Sequence, residues 1–412
     1  MHASAMATRE IVALAVGLCS LLLYVAMSLL VQLLLRRGRR RGWVLCAADI
    51  LRWRRPAALP PPPGRGLVSI LKPLSGEDDG LADNLASFAK LGYPELEIVF
   101  GVAHPNDPAV AHARAFIARH PEVEARIVFT DPNAAMNPKV AQLIGLAAAA
   151  RGAIFVISDS NVRVDPGYVE QVVRPLDDPR CGVVSSLFSG TGELTVGAAL
   201  ENLQLCAVVT PFVVLSTLGP TVTIGKSMAM RRRDLDELGG FGAFRDVLAE
   251  DLMLGQRFLA RGQRIATSFH QVENRNVQTS VARMFGRHAR WAKMRRVLAP
   301  TCFALELMLS PVLVVAFGVL LAPGPRTAGL LLLAALLQMF FAWASTTAIR
   351  GHAVPLKYAP LELVRVVVMF GCWLEAWASR EVVWRGHALT VGAGTVVTPS
   401  TRRRPRAFRL PG

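Results

Sequence analysis

The chain has 412 residues, 52% of them hydrophobic and 18% charged, too apolar for an ordinary soluble protein and too polar for one wholly embedded in a bilayer. Its formal charge of +16 argues less for nucleic acid than for a membrane, because the arginines bunch beside apolar segments. Eight lie between residues 36 and 55, while Arg402, Arg403, Arg404, Arg406 and Arg409 crowd the C-terminus. Such clusters mark the cytoplasmic side of a span and attract anionic headgroups, so no nucleic-acid partner is expected.

In chain order, residues 11–35 carry no charge and are long enough to cross a bilayer, which takes ~20 helical residues. A secretory signal would be shorter and end on a small-residue cleavage site, so residues 1–35 read as an uncleaved anchor. Residues 36–66 follow as a basic, proline-rich linker in which PAALPPPPGRG (56–66) is a stiff spacer. The polar region 67–296 is next, and residues 297–380 form a C-terminal membrane region. Within it, 297–322 and 327–349 read as spans, whereas Glu362, Arg365 and Glu375 interrupt 355–380, which is expected to lie along the interface or re-enter. A basic tail, 381–412, ends the chain. Parity from the first arginine cluster gives three spans of a multi-pass inner-membrane protein, with 36–296 cytoplasmic. Six scattered cysteines, without a CxxC, suit that reducing compartment.

Within 67–296, strand-like runs at 67–74, 95–103, 125–130, 153–158 and 181–188 alternate with helical spacing at 79–91, 107–120 and 137–150. This alternation predicts an α/β domain with a mainly parallel sheet, whose ligands bind at the carboxyl ends of the strands. Ile154, Phe155, Val156 and Ile157 read as a strand buried on both faces, and it runs directly into Asp159. Asp and Asn also end strands merely by bonding local backbone, so position alone leaves both readings open.

Other polar groups occupy comparable places. GVAHPNDPAV offers His104 and Asp107, and MNPKVAQL opens a helix with Asn137 and Lys139. TIGKSMAMRRRDL carries Lys226 but lacks the glycine spacing of a P-loop. VLAEDLMLGQRFLARG sets Glu250 and Asp251 at a helix start, and GRHARWAKMRR brings Arg287, Arg290 and Trp291 up to the second span. Each has a plainer reading. The acidic pair suits a helix N-terminus, Asn137 suits a cap, and RHARW suits a basic face with Trp291 as an interfacial anchor.

The order of the strings ILKPL, NPK, DSNVRV, GKSMAM, AED and RHARW resembles that in the ceramide glucosyltransferases, the family-21 glycosyltransferases, with their bacterial hopanoid-modifying relatives. The likeness runs from about residue 67 through 296 and takes in the flanking hydrophobic segments. It implies a nucleotide-sugar-binding GT-A fold and inverting transfer from a UDP-sugar onto a membrane lipid, either ceramide or a hopanoid polyol. By the same resemblance Asp159 lies where donor diphosphate and a divalent metal, Mg or Mn, meet. Asp251 is then the catalytic base, with Glu250 second choice, and Arg287, Arg290 and Trp291 form the family's (Q/R)xxRW motif. One departure stands out: His104 occupies the place of an expected Asp, and the nearby Asp107 matches a different, DPA aspartate. A neutral His can bond a uracil or ribose but supplies no permanent negative charge.

The chemistry accords with those roles. A departing diphosphate needs cationic partners, for which Lys139, Arg287 and Arg290 have the charge, and the attacking hydroxyl needs a carboxylate to take its proton. A processive polysaccharide synthase would need more spans. A transporter leaves the α/β pattern of 67–296 unexplained, and an inactive scaffold rests on His104 alone.

Overall fold

A computed structural model describes residues 2–51, 65–384 and 387–400. Nine strands form the main sheet: β1 (Trp43–Val44), β2 (Val68–Pro73), β3 (Leu96–Val102), β4 (Ala125–Phe129), β5 (Ile154–Ser158), β6 (Val162–Arg163), β7 (Cys181–Thr191), β8 (Ser227–Arg231) and β9 (Arg264–Arg275). Their order is β1-β9-β7-β8-β5-β2-β3-β4, with β6 paired to β9. Strands β5, β2, β3 and β4 run parallel, and β8 reverses direction between β5 and β7. Every residue of β2 and β5 is buried, as expected of strands covered on both faces. Helix Pro138–Ala149 covers one face, and Gly101 on β3 makes room for it, since a Cβ there would stand 2.9 Å from the Leu146 side chain.

The first helix, His2–Arg41, runs on through the arginines where the sequence reading begins a linker. Arginine is a good helix former, and the extension is docked: Arg39 donates to the Ile349 carbonyl at 3.0 Å, and Gly38 lies against the Phe269 ring. Strand β1 then adds to the sheet edge at β9. The polyproline stretch falls almost wholly outside the described residues, but Arg65 at its end pairs with Asp177 at 2.7 Å.

The stretch expected to be a straight second span is broken. Helix Val281–Leu298 stops before Pro300, and after Leu309 the chain bends by 79° into helix Pro311–Leu321. Pro311 has no N–H to continue the helix, and the Gln338 side chain accepts from the freed Val312 N–H at 3.2 Å. Helix Pro325–Arg350 is long and apolar enough to cross a membrane, as is the first helix. The apolar stretch Val196–Ser216 also passes by length, yet it is mostly buried between the sheet and the membrane helices. In the charged helix Leu361–Ala378, Glu362 and Arg365 face protein: Arg365 Nε donates to Glu362 at 2.7 Å and a second nitrogen donates to Gln204. After this helix the chain returns to the α/β domain as a three-stranded antiparallel sheet, β10 (Glu381–Trp384), β11 (His387–Val391) and β12 (Val397–Pro399).

Candidate active site

Strand β5 ends at Ser158, and Asp159 turns the chain there, its carbonyl accepting from Val162 N–H at 3.2 Å. Lys72, buried on β2, reinforces the turn by donating to that same carbonyl at 2.8 Å. Its ammonium is 4.0 Å from the Phe88 ring centroid. Burial pulls the Lys72 amine down to about 7 against the attraction of Asp159 and Asp78.

The Asp159 carboxylate meets a cation on each oxygen, Lys139 Nζ at 2.9 Å and Lys226 Nζ at 3.2 Å. Burial alone would raise its affinity for a proton, but Lys139 and then Lys226 outweigh burial and hold it well below the usual carboxylate range. Lys139 comes from the first turn of its helix, which Asn137 caps by accepting from Lys139 N–H at 2.9 Å and Val140 N–H at 3.2 Å. The same ammonium lies 3.3 Å from Glu250. Burial pulls Lys139 down, yet Asp159, Glu250 and Asp251 together keep it well above an ordinary lysine. Lys226, which donates to Asn161 at 3.3 Å, is held below the usual lysine value by burial despite Asp159.

Glu250 and Asp251 open helix Glu250–Ala260. The Asp251 carboxylate accepts from Gly225 N–H at 2.6 Å and from Leu252 N–H at 2.8 Å, which fixes its direction. Glycine at 225 leaves room for both groups, since a Cβ would stand 2.7 Å from Lys139 Nζ and 3.0 Å from an Asp251 oxygen. Glu250 accepts from the Asn137 side chain at 3.1 Å, and burial raises its proton affinity, with Lys139 opposing and Asp251 adding. Asn137 is thus a cap and also a strut between two elements.

The remaining sequence candidates lie elsewhere. His104 is exposed on the loop after β3, where its carbonyl accepts from Asp107 N–H at 3.0 Å. Asp107 caps helix Pro108–Arg119 through Ala109 N–H at 2.9 Å and also accepts from Gly76 N–H at 2.9 Å. Arg287 donates to Glu201 at 3.1 Å and Asn276 at 3.2 Å, and its field reaches Lys226. Trp291, half-buried, packs on the main core with its ring edge-on to His288 at 4.9 Å. Arg290 has its guanidinium 5.1 Å from the Trp384 ring. Sequence reasoning noticed Lys226 without giving it a role, and missed Glu201, whose carboxylate is fully buried beside Arg287 and His288. A lone Glu inside an apolar helix was the signal available.

Among the described residues no three His, Cys, Asp or Glu side chains form a cluster able to hold a metal alone. What the site assembles is a carboxylate between two ammonium groups, beside a second carboxylate pair at a helix start.

Several known proteins have similar chains. The model of the family described as glycosyl transferase family 21 matches residues 20–397. Ceramide glucosyltransferase 1 of Caenorhabditis elegans is 27% identical over 353 residues, covering 83% of this chain and 76% of that protein. Ceramide glucosyltransferase 3 of the same organism is 23% identical, covering 81% and 74%. Among solved structures, a mannosyltransferase from Pyrobaculum calidifontis in complex with GDP-Man and Mn2+ aligns with a TM-score of 0.47 at 19% identity, over 88% of this chain and 97% of that one.

Proposed function

The chain belongs to glycosyl transferase family 21, and from that premise we propose that it moves glucose from UDP-glucose to the hydroxyl of a ceramide-like membrane lipid, with inversion. The observation that carries the reading is the convergence of Asp159, Lys139 and Lys226 with the Glu250–Asp251 pair, in a chain that also carries helices long and apolar enough to cross a membrane. The names of the matched relatives support glucose and ceramide as the transferred sugar and the acceptor.

Asp251 takes the proton of the lipid hydroxyl as its oxygen bonds the anomeric carbon. The bond from that carbon to the diphosphate breaks, and UDP leaves with the electron pair. Lys139, Lys226 and Arg287 are the cations assigned here to the charge it carries away, and preformed groups of this kind need no reorganisation at the moment of transfer. Lys139 changes partner in this scheme, from Asp159 and Glu250 to phosphate oxygen.

A divalent cation, Mg or Mn, fits only as part of the donor complex. Magnesium is commonly held by one or two carboxylates together with substrate phosphates, and Asp159, with its side chain 21% exposed, is the carboxylate assigned to that role. When bound, the cation would neutralise charge on the diphosphate. His104 and Asp107 are assigned to the donor's nucleoside end, where a neutral donor or acceptor suffices.

The arginines of the first helix, of which Arg39 donates to the Gln271 side chain on β9 and to the Ile349 carbonyl, support a cytoplasmic site opening at the bilayer surface. Release of UDP by purified protein tests the whole reading. We expect turnover with UDP-glucose and ceramide. Turnover confined to UDP-N-acetylglucosamine with a hopanoid polyol would move the substrates, and none with any pair would remove the activity.

A further inference from the structure

The sheet β10–β12 reaches back to the catalytic domain after helix Leu361–Ala378 and touches the site from behind. Its connection β11–β12 places Thr395 against the segment just before the acidic pair. Leu248 N–H donates to the Thr395 carbonyl at 2.9 Å and Ala249 N–H to its hydroxyl oxygen at 3.3 Å. Val397 N–H donates to the Asp246 carbonyl at 2.7 Å, and Val247 bridges Val396. Helix Glu250–Ala260 has no side-chain cap of its own at Ala249, so a residue nearly 150 positions away meets the donors that lead into it.

Thr395 is fully buried and has φ +60°, the one non-glycine residue with positive φ among those described. A β-branched residue rarely adopts that conformation, and such strain persists where the surroundings over-determine it. The surroundings here are a small core of Leu248, Val382, Leu389, Val391 and Val397. On its other side the 245–249 segment is held by Asn137, which accepts nothing from it but donates its backbone N–H to the Arg245 carbonyl at 3.0 Å and its amide to the Val247 carbonyl at 2.7 Å. The same sheet grips the RHARW helix: Arg290 stacks on Trp384, and Lys293 donates to the Glu381 carbonyl at 2.7 Å.

We propose that Thr395 is a positioning residue for the Glu250–Asp251 pair, and that strands β10–β12 with the β11–β12 connection clamp the acidic helix start and the RHARW helix into one rigid wall of the site. The inference rests on the glycosyltransfer reading, in which Asp251 receives the acceptor proton. It gives Arg290 a task apart from the donor phosphates, that of fastening its helix to the clamp. A mispositioned base slows chemistry while leaving donor binding alone, because Asp159 and the lysines stand on other elements.

The test uses the full-length protein in detergent or nanodiscs. Thr395→Val keeps shape but loses the oxygen that accepts from Ala249, and Thr395→Ser keeps it. Thr395→Gly loses the oxygen while adopting the positive φ freely, which guards against a variant that fails to fold. We expect kcat to fall about 5- to 10-fold in the Val and Gly variants, the scale of one lost hydrogen bond, with the donor KM unchanged and Thr395→Ser near the parent. Hydrogen exchange at Leu248 and Ala249 should quicken in the same two variants. Parental kcat in both Val and Gly, or unchanged exchange at both amides, would overturn the clamp. An Asp251→Asn control run alongside separates this from the function itself: if that control stays fully active, the base assignment has failed and exchange alone judges the clamp.

Discussion

Two clusters of buried charge, one in the catalytic domain and one among the membrane helices, are built on different plans. Asp159, Lys139, Lys226 and Glu250 have side chains 13–21% exposed and come from four separate elements. Glu362 and Arg365 are 1% and 8% exposed, lie three residues apart on one helix, and find Gln338 and Gln204 for their remaining bonds. The first cluster keeps a face through which a ligand can replace a partner. The second is closed, and it ties helix Leu361–Ala378 both to helix Pro325–Arg350 and to the buried helix Val196–Gln204. Ionisable residues within membrane segments commonly mark transport or catalysis, but here they fasten the bundle. An open face, more than the density of charge, separates chemistry from architecture.

The sharpest way to test that contrast is to remove the proposed base from the open cluster. Asp251→Asn should lower lipid glycosylation by ~10²- to 10⁴-fold, the usual worth of general-base assistance, while calorimetry finds UDP affinity unchanged. Near-parental turnover in Asp251→Asn with collapse in Glu250→Gln would shift the role one residue upstream.

In the closed cluster the loss should be of stability. Arg365→Ala strands the Glu362 carboxylate and should cost about 3–5 kcal/mol, read as a lower melting temperature in detergent. The apolar pair Arg365→Met with Glu362→Leu should recover most of it. A silent Arg365→Ala would mean that the ion pair is not holding the helices together.

Lys139→Met, back in the open cluster, should weaken UDP-glucose binding about 10- to 100-fold, the range for a charge-assisted hydrogen bond or two, with little change in melting temperature. The smallest effect is a pH slope. Burial leaves the Lys72 amine at about 7 in the folded protein, whereas an unfolded lysine titrates near ~10.4. Between these values the unfolded chain binds the extra proton, so stability should rise as pH rises from about 7 towards ~10. Lys72→Met should flatten that part of the curve.

Where the sequence was informative, the reason was local periodicity or a change in it. The strand at 153–158 and the helices opening at residues 107 and 137 declare themselves by apolar spacing and capping residues, and Asp159 by standing where the apolar run stops. What escaped depends on distant partners. Nothing near Lys226 says that its ammonium will meet Asp159, and nothing in the tail says that Thr395 will brace residue 249. The apolar count over 297–322 suggested one straight span because composition outweighed Pro311, which breaks it. Stretch 196–216 shows the converse, a span-like composition spent on packing inside the protein. Arg290 and Trp291, adjacent in one motif, point to different neighbours because successive helical residues diverge by about 100°.

The configuration of the product tests the central proposal most directly. UDP-glucose carries an α-linked glucose, and direct attack by a lipid hydroxyl deprotonated by Asp251 inverts that centre. Nuclear magnetic resonance of the glycolipid made by the purified protein should therefore find a β-glucoside. An α-glucoside, or a protein that forms no glycolipid from UDP-glucose and ceramide, would contradict it.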